Sequence, residues 1–279
     1  MFNHKIISNI RNMSDKTFFL FRKYIYLNIG INMTIESKRL LQARLHKRIS
    51  DLKLDSYRQY YEYLTNSYNS KYEFTNMVNL ATTNTTEFFR EPKQFEFLKR
   101  KFLPTYLKYN NNSQIKIWST ACSNGAEPYT IAMILKEFQE KHSDFKFSII
   151  GTDISTKVLK EAKNAMYKHN ELNHIPNIYR NNFIKKNDMI QINPELRSFV
   201  KFKQLNLIDQ IYDIYDLMDV IFCRNVTIYF DRQTRESVIR KVCHHLKIGG
   251  ILFLGPSESI IGMKLPLKNI VGSIYQKIM

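Results

Sequence analysis

The sequence predicts an all-helical amino-terminal part followed by an α/β part built on a parallel sheet. Up to about residue 80 the apolar residues recur at helical spacing, and no glycine occurs between Gly30 and Gly125. After the polar stretch 81–86, short apolar runs alternate with helical segments. Such alternation indicates parallel strands joined by helical crossovers. The chain has 279 residues, which is long enough to bury a substantial core.

The composition is that of a globular protein, and its net charge favours an acidic partner. Hydrophobic residues make up 44% of the chain and charged residues 24%. Because no apolar run reaches the roughly 18–20 residues needed to span a bilayer, we expect a soluble, unexported protein. The formal net charge of +17 favours an acidic partner. Nucleic acid, anionic lipid and an acidic protein all meet that requirement, and a general richness in Lys, Asn and Ile is the alternative explanation.

Cysteine and histidine patterns argue against a disulfide framework and against a metal site. Cys122, Cys223 and Cys243 are odd in number and show no C-x-x-C spacing, which fits a reducing cytosol. The adjacent pair His244 and His245 would point about 100° apart on a helix and would not share a metal easily. We therefore expect no metal cofactor.

In the helical part, the second helix carries a basic flank. Thr34 is the first candidate for its N-cap and Ser37 the second. Its apolar spacing is set by Leu41, Leu45, Ile49 and Leu52. The neighbouring flank carries three cations, Arg44, Lys47 and Arg48. Without further information, such a flank is typical of a solvated helix face.

In the α/β part, apolar runs at 115–118, 147–150, 220–223 and 251–254 predict the strands of the parallel sheet. Helices are predicted at 128–136 and 155–165. Between about 171 and 204 the pattern changes, and the runs 183–184, 189–192 and 200–202 predict small antiparallel strands around polar turns. The pair Gly249-Gly250 is interpreted as the C-cap of a helix before the last predicted strand.

Two strand ends together suggest a nucleoside site. The first strand is followed by a turn of small residues, 119–126, and then by Glu127, whose alternative role is capping the next helix. The second strand ends in Asp153. A carboxylate in this place can accept hydrogen bonds from ribose hydroxyls, although many such residues only cap the following helix. The combination of turn and acid favours nucleoside binding.

Two further segments hold polar residues that are candidates for ligand binding or catalysis. The buried strand at 220–223 leads directly into Arg224 and Asn225, with Tyr229 shortly after. Such a pair is not typical core filling, the alternative being a structural Arg paired with a carboxylate at the sheet edge. The segment 82–92, which joins the two parts, is interpreted from its residues alone as a helix cap and a surface helix.

Taken together, the segments TTNTTEFFRE, IWSTACSNGAEPYTIA, IIGTDIS and VIFCRNVTIYFD resemble the chemotaxis receptor methyltransferases, which are protein-glutamate O-methyltransferases. The resemblance runs from about residue 18 to the end. It implies a Rossmann-like, S-adenosylmethionine-dependent methyltransferase domain at 95–279, with a small antiparallel β-subdomain at about 171–204. A helical receptor-docking domain at 1–81 and a linker at 82–94 that contributes to the active site would precede it.

The resemblance also implies the site residues. S-adenosylmethionine, with S-adenosylhomocysteine as the product, would be bound by Asn84, Thr86, Arg90, Glu127, Asp153, Asn206, Leu207, Arg224 and Asn225. We expect Arg90 to hold the incoming glutamate carboxylate and Tyr229 to orient it. Because that carboxylate is already an anion and a sulfonium methyl is already electrophilic, no general base is required.

The partner implied by the resemblance is the cytoplasmic helical domain of chemoreceptors, onto which Arg44, Lys47 and Arg48 would dock. We expect a monomer in the cytoplasm, recruited to membrane-bound receptor arrays without inserting into the membrane. The turn 185–188 is short and lacks glycine, whereas relatives that bind a receptor's carboxyl-terminal tether have a longer glycine-rich loop. Independence from such a tether is therefore expected. Two smaller departures from the family pattern are Ala126, where a second glutamate is usual, and Ile248, where proline is usual.

Two other functions remain open at this level. A nucleic-acid methyltransferase would suit the charge, but enzymes acting on exocyclic amines usually carry an Asn/Asp-Pro-Pro-aromatic motif where this chain has Arg224-Asn225-Val226-Thr227. We therefore expect no nucleic-acid partner. A sensor that binds the cofactor or the receptor without turnover is the second alternative, and the presence of Arg90 and Tyr229 argues against it.

Overall fold

The computed structural model describes residues 10, 12–66, 68, 70–110 and 114–279. The first nine residues of the predicted helical domain therefore lie outside the described residues. Contacts divide the chain into two compact units. The first comprises Met1–Thr83 with Tyr229–Thr234, and the second comprises Asn84–Ile228 with Arg235–Met279.

The first unit is helical, as predicted. Its described α-helices are α1 (Asp15–Ile29), α2 (Lys38–Asp51), α3 (Tyr57–Asn66) and α4 (Ser70–Ala81). Thr34 precedes a 3-10 turn and Ser37 precedes α2, but neither side chain makes the capping hydrogen bond that was predicted for it. Leu41, Leu45 and Ile49 are buried along one face of α2. The helical spacing thus identified the core face of this helix.

The second unit is an α/β fold around a seven-stranded sheet of order β6-β2-β1-β7-β8-β10-β9. Its strands are β1 (Gln114–Ser119), β2 (Lys146–Asp153), β6 (Val200–Gln204), β7 (Met218–Cys223), β8 (Leu246–Leu254), β9 (Leu267–Val271) and β10 (Ile274–Lys277). The first five are parallel, while β9 and β10 add an antiparallel hairpin that the sequence did not predict. The four predicted strands are confirmed.

Helices and a small sheet complete this unit. The α-helices are α5 (Pro92–Phe97), α6 (Leu103–Tyr109), α7 (Ala126–Lys141), α8 (Thr156–Asn164), α9 (Pro194–Ser198) and α10 (Arg232–His244), with a π-helical turn between α5 and α6. A separate antiparallel sheet has the order β3-β5-β4, with β3 (Met166–Lys168), β4 (Phe183–Lys186) and β5 (Met189–Ile192).

One strand predicted for the small sheet belongs to the large one. Strand β6 pairs in parallel with β2, from Ile149 opposite Val200 to Asp153 opposite Gln204. The third strand of the small sheet is instead β3, which lies before the predicted start at residue 171. The reason is long-range pairing: β2 offers a free edge to β6, and which edge a short strand joins is not encoded in its own pattern.

The glycine pair was also placed wrongly. Helix α10 ends at His244, and Gly249 and Gly250 lie inside β8 rather than at a helix C-cap. The register between β7 and β8 shifts here, which marks a bulge, and Gly249 has a φ of 80°. A Cβ on Gly250 would lie 2.9 Å from the carbonyl oxygen of Asp219. The glycines therefore permit a bulge and a close backbone approach.

The centre of the sheet is aromatic and fully buried. Trp118, Phe222 and Phe253 each have 0% exposure, and the rings of the last two stack with centroids 4.4 Å apart. The stacked pair joins β7 and β8, whereas the Trp118 ring of β1 packs against Tyr212 and His245. Among the described helices, none is long and apolar enough to cross a membrane.

Candidate active site

Polar residues collect where the parallel strands end. Strands β1, β2, β7 and β8 run in the same direction, so the segments that follow them meet at one edge of the sheet. The register places Ser119 beside Gly151 and beside Phe222. The turn after β1 is thus held between the ends of its two neighbours.

The turn after β1 is built for close approach. The amide of Cys122 donates to the carbonyl of Thr152 at 2.8 Å, which joins the turn to the end of β2. Ser123 and Gly125 both have positive φ, 48° and 91°. A Cβ on Gly125 would lie 3.0 Å from the Cβ of Ala162, so α7 and α8 approach closely only because this residue is glycine.

Asp153 ends β2 inside this edge. It is 8% exposed, and its Oδ2 accepts from the amide of Ser123 at 2.9 Å while Oδ1 accepts from the amide of Ser155 at 2.9 Å. Burial raises the pKa of this carboxyl group, while the backbone donors partly offset that effect. Each oxygen retains a lone pair for a second donor. Capping and ligand binding are therefore compatible here.

The segment that carries Arg90 is fastened to the turn after β1. The hydroxyl of Ser123 donates to the carbonyl of Asn84 at 2.7 Å, and the amide of Phe89 donates to Thr130 Oγ1 at 3.1 Å. Arg90 is half-buried and donates to the carbonyl of Thr85 at 3.1 Å. Thus the segment that its residues alone would place in a surface helix is part of this edge.

Arg224 is a buried charge with its partners in place. Its side chain is 2% exposed, and Nε donates to Glu127 Oε2 at 2.6 Å. Nη1 donates to Glu91 Oε2 at 3.2 Å and to Gln94 Oε1 at 2.8 Å. The guanidinium also lies 5.0 Å from the centroid of the Phe95 ring. A buried charge is tolerated only with such partners. The observed contacts of Arg224 are those of a structural arginine paired with carboxylates, which was the alternative interpretation.

Arg90 and Arg224 differ in their carboxylate partners. Within the described part of the chain, Arg90 forms no ion pair with a carboxylate, whereas Arg224 pairs with Glu91 and Glu127. The Oε1 atom of Glu127 also accepts from the hydroxyl of Ser119 at 2.6 Å. An arginine without a carboxylate partner can receive one from a ligand or substrate, which favours Arg90 for that role.

Asn225 is held in an unusual backbone conformation. Its φ is 56°, and that of its neighbour in space Glu91 is 62°. The side-chain amide of Asn225 donates to Glu91 Oε1 at 3.2 Å, and its backbone amide donates to Glu258 Oε2 at 2.8 Å. Asparagine tolerates the left-handed region best among non-glycine residues, whereas for Glu91 the conformation is strained, and such strain is common at ligand sites.

The remaining predicted cofactor residues follow β6 or lie in the linker. Leu205 donates its amide to the carbonyl of Asp153 at 3.0 Å, which brings the residues after β6 to the end of β2. Asn206 comes next and accepts from the amide of Ile208 through Oδ1, and Leu207 is buried. Thr86 is half-buried in the linker. The structure therefore places Asn206 and Leu207 on the Asp153 side of the edge.

The donor and acceptor set fits S-adenosylmethionine. The carboxylate of Asp153 can accept hydrogen bonds from a ribose diol, and the turn of small residues through Ser123 leaves room for a ligand near the backbone. Asn206 follows Leu205, whose amide donates to the carbonyl of Asp153. There is no corresponding fit for a metal ion among the described residues, which contain no group of three or more His, Cys, Asp or Glu that could hold one.

Tyr229 and the basic flank of α2 belong to the first unit. The backbone carbonyl of Tyr229 accepts from the amide of Asn32 at 2.8 Å. Its predicted action with Arg90 stays a prediction. Lys47 is exposed, whereas Arg44 donates to the carbonyl of Ala81 at 2.8 Å.

Arg48 is bound to a buried acid. Its Nε and Nη2 donate to the two oxygens of Glu73 at 3.0 and 2.5 Å. Tyr60 also donates to Glu73, at 2.7 Å, and Glu73 is fully buried. The hydrogen bonds from Arg48 and Tyr60 lower the pKa of Glu73 against the effect of burial, which raises it. Most of the Arg48 charge is therefore offset inside the unit.

Three residues of this edge were missed by the sequence reasoning: Glu91, Gln94 and Glu258. Glu91 stands in the quoted segment TTNTTEFFRE, yet no role was assigned to it. Glu258 follows the end of β8 by four residues, and the signal that identified Asp153, an acid shortly after a buried strand, could have found it. Gln94 carries no local signal, because its partners Arg224 and Leu254 are distant in the chain.

Comparison with known proteins gives consistent matches over most of the chain. Residues 84–275 match the SAM-binding domain of CheR methyltransferase, and residues 16–82 match the all-alpha domain of CheR methyltransferase. A chemotaxis protein methyltransferase of Borreliella burgdorferi is 37% identical over 261 residues, covering 91% of this chain and 92% of the relative. Chemotaxis protein methyltransferase 2 of Vibrio cholerae is 34% identical, covering 89% and 87%.

Among solved structures, the glycopeptide N-methyltransferase MtfA with S-adenosyl-L-methionine shares 14% identity over 62% of this chain and 61% of its own, with a TM-score of 0.33. That likeness is too distant to add to the assignment. The two domain matches and the identities above 30% decide it, and the cofactor of the matched domain is the one that the strand-end residues fit. This chain belongs to the CheR family of S-adenosylmethionine-dependent methyltransferases.

Proposed function

We propose that this protein transfers the methyl group of S-adenosylmethionine to glutamate side chains of chemoreceptors and so forms methyl esters. The observation that carries the proposal is the attachment of the Arg90 segment to the cofactor turn through Ser123 and Asn84. The attachment supports a position for Arg90, which pairs with no described carboxylate, at the same edge as Asp153. In this proposal, the group that binds an acidic substrate and the group that binds the cofactor act at one site.

The residues of this chain act by positioning. When bound, S-adenosylmethionine supplies a methyl group that is already electrophilic. Arg90 holds the substrate carboxylate by charge-assisted hydrogen bonds, and Tyr229 orients it. Asp153 holds the ribose, and Arg224 keeps Glu91 and Glu127 in place beneath the site. Positioning of this kind is worth up to about 7–11 kcal/mol in ideal cases, and no group has to remove a proton.

The test is transfer of tritiated methyl from S-adenosylmethionine to the cytoplasmic fragment of a chemoreceptor from the same organism. Label that base releases as methanol identifies a methyl ester. We expect Arg90→Ala to reduce turnover far more than it weakens cofactor binding, because Arg90 contacts the substrate. If both fall by the same factor, Arg90 binds the cofactor instead. Tight cofactor binding without transfer to any receptor fragment would contradict the proposed function.

Receptor docking is proposed for the basic flank of α2, with unequal shares among its three cations. Lys47 is exposed and free to meet an acidic receptor helix, and Arg44 is half-buried. Arg48 is bound to Glu73 and contributes chiefly to stability. Since exposed charges steer association, Lys47→Glu should slow receptor methylation most strongly at low salt.

Independence from a receptor tether is proposed from the hairpin between β4 and β5. The strands end at Lys186 and begin again at Met189, so the turn has only Asn187 and Asp188, with Asn187 at a φ of 54°. A two-residue turn provides no loop that could bind a peptide. We further propose that the protein acts as a monomer in the cytoplasm, at receptor arrays. Measurable binding of a receptor carboxyl-terminal pentapeptide in calorimetry would contradict the tether proposal.

A further inference from the structure

A buried carboxylate bridges the ends of strands β7 and β8. Glu258 is 2% exposed, and its Oε2 accepts from the amides of Asn225 at 2.8 Å and Gly255 at 2.6 Å. Its Oε1 accepts from the amides of Val226 at 2.9 Å and Thr227 at 2.6 Å. The hydroxyl of Thr227 donates to the same oxygen at 2.9 Å. Five donors therefore converge on one side chain.

The arrangement is an anion nest filled from within the chain. Four consecutive or neighbouring backbone amides pointing at one place form a site for negative charge. Here the local sequence delivers that charge: the amide of Glu258 donates to the carbonyl of Gly255 at 2.9 Å, closing a turn with Pro256 in its second position. The turn directs the carboxylate back over the end of β8 and onto the loop after β7.

The space around the carboxylate is closed. A Cβ on Gly255 would lie 2.7 Å from Glu258 Oε2 and 2.8 Å from Asn225 Nδ2. No described cation forms an ion pair with Glu258, so its charge is balanced by backbone and hydroxyl dipoles alone. Hydrogen bonds from several amides to one carboxylate are strong, because each is charge-assisted.

We propose that Glu258 is a positioning residue for cofactor binding: it holds the loop 225–227 in the conformation that places Asn225 at the cofactor site. The link is the left-handed backbone of Asn225, whose amide is bound to Glu258 while its side chain is bound to Glu91. Releasing the first bond removes a contact that selects this conformation, since asparagine tolerates a positive φ but adopts negative φ as well. This inference rests on the proposed function, because it assigns Asn225 to the cofactor.

The test compares Glu258→Gln with Glu73→Gln. Glu73 is the matched control because it is equally buried, accepts several hydrogen bonds and belongs to the helical unit. We expect Glu258→Gln to raise both the dissociation constant and the KM for S-adenosylmethionine about tenfold or more, with a much smaller change in kcat at saturation. Glu73→Gln should lower the melting temperature and leave cofactor affinity within about twofold of the wild type.

Amide hydrogen exchange in the absence of ligand supplies a second readout. The amides of Asn225, Val226, Thr227 and Gly255 should exchange at least about tenfold faster in Glu258→Gln than in the wild type, and at wild-type rates in Glu73→Gln. If Glu258→Gln fails to fold, Glu258→Asp keeps the charge but shortens the reach, and the same amides should exchange faster in it.

The outcomes separate the two proposals. Wild-type protein that binds no S-adenosylmethionine would contradict the proposed function itself. Wild-type binding with unchanged cofactor affinity in Glu258→Gln, or with equal losses in both variants, would overturn the positioning role of Glu258. A fall in kcat with unchanged KM would also overturn it, because the defect would then lie in the transfer step.

Discussion

Removing Arg224 should destabilise the second unit strongly while leaving its partners charged. The side chain is 2% exposed and bridges Glu127 and Glu91, which become two unpaired, mostly buried carboxylates in Arg224→Met. Breaking a buried pair by removing one partner typically costs about 3–5 kcal/mol. For a unit of this size each kcal/mol shifts the melting temperature by roughly 2–4 °C. We therefore expect a decrease of about 6–20 °C.

The assay is thermal and urea unfolding followed by circular dichroism, with two internal checks. Arg224→Met combined with Glu127→Gln should recover at least about 1 kcal/mol, because one uncompensated charge is removed. Arg90→Ala is the control arginine and should leave the melting temperature within about 2 °C of the wild type, since Arg90 pairs with no described carboxylate.

A variant whose free energy of unfolding at neutral pH lies within about 1 kcal/mol of the wild-type value would refute this reasoning.

Three further predictions address other parts of the molecule. Because burial raises the pKa of Asp153 and a ribose diol donates to the ionised form, S-adenosylmethionine affinity should be full at neutral pH. It should decline on acidification from a higher pH than for an exposed aspartate, and calorimetry with Asp153→Asn should show a lower and pH-flat affinity. Lys47→Glu should reduce receptor methylation several-fold without changing cofactor affinity or stability. Arg48→Met should instead lower the melting temperature, because it leaves Glu73 unpaired. Equal methylation by the wild type and Lys47→Glu would exclude this flank from docking. The three thiols should react with a disulfide reagent at pH 8 only after unfolding, since all three are buried. Burial also raises their pKa values, to about 12 for Cys243. Fast labelling of the native protein would contradict that burial.

The local features of the fold were predictable because they depend on short-range pattern. Helical spacing identified the buried face of α2, and apolar runs identified β1, β2 and β7. An acid after a buried strand identified Asp153, since the end of a parallel strand places it at the functional edge whatever the rest of the chain does. The resemblance added the linker, whose residues by themselves suggested only a surface helix.

What only the tertiary structure decided is which residues share an environment. Strand β6 joined the large sheet because β2 offered it an edge, and Gly249 and Gly250 serve a bulge against β7 rather than a helix end. Arg224 meets Glu127 and Glu91 from 97 and 133 positions away, and Glu258 meets the loop after β7 from more than 30. The sequence by itself determined that the chain is basic, that it is helical in its first part and α/β in its second, and that it carries an acid at the end of its second parallel strand and the motifs of a family. Whether an arginine is available to a substrate or committed to a buried pair depends on long-range packing, because burial and neighbouring charge, not residue type, set the free energy of a charged group.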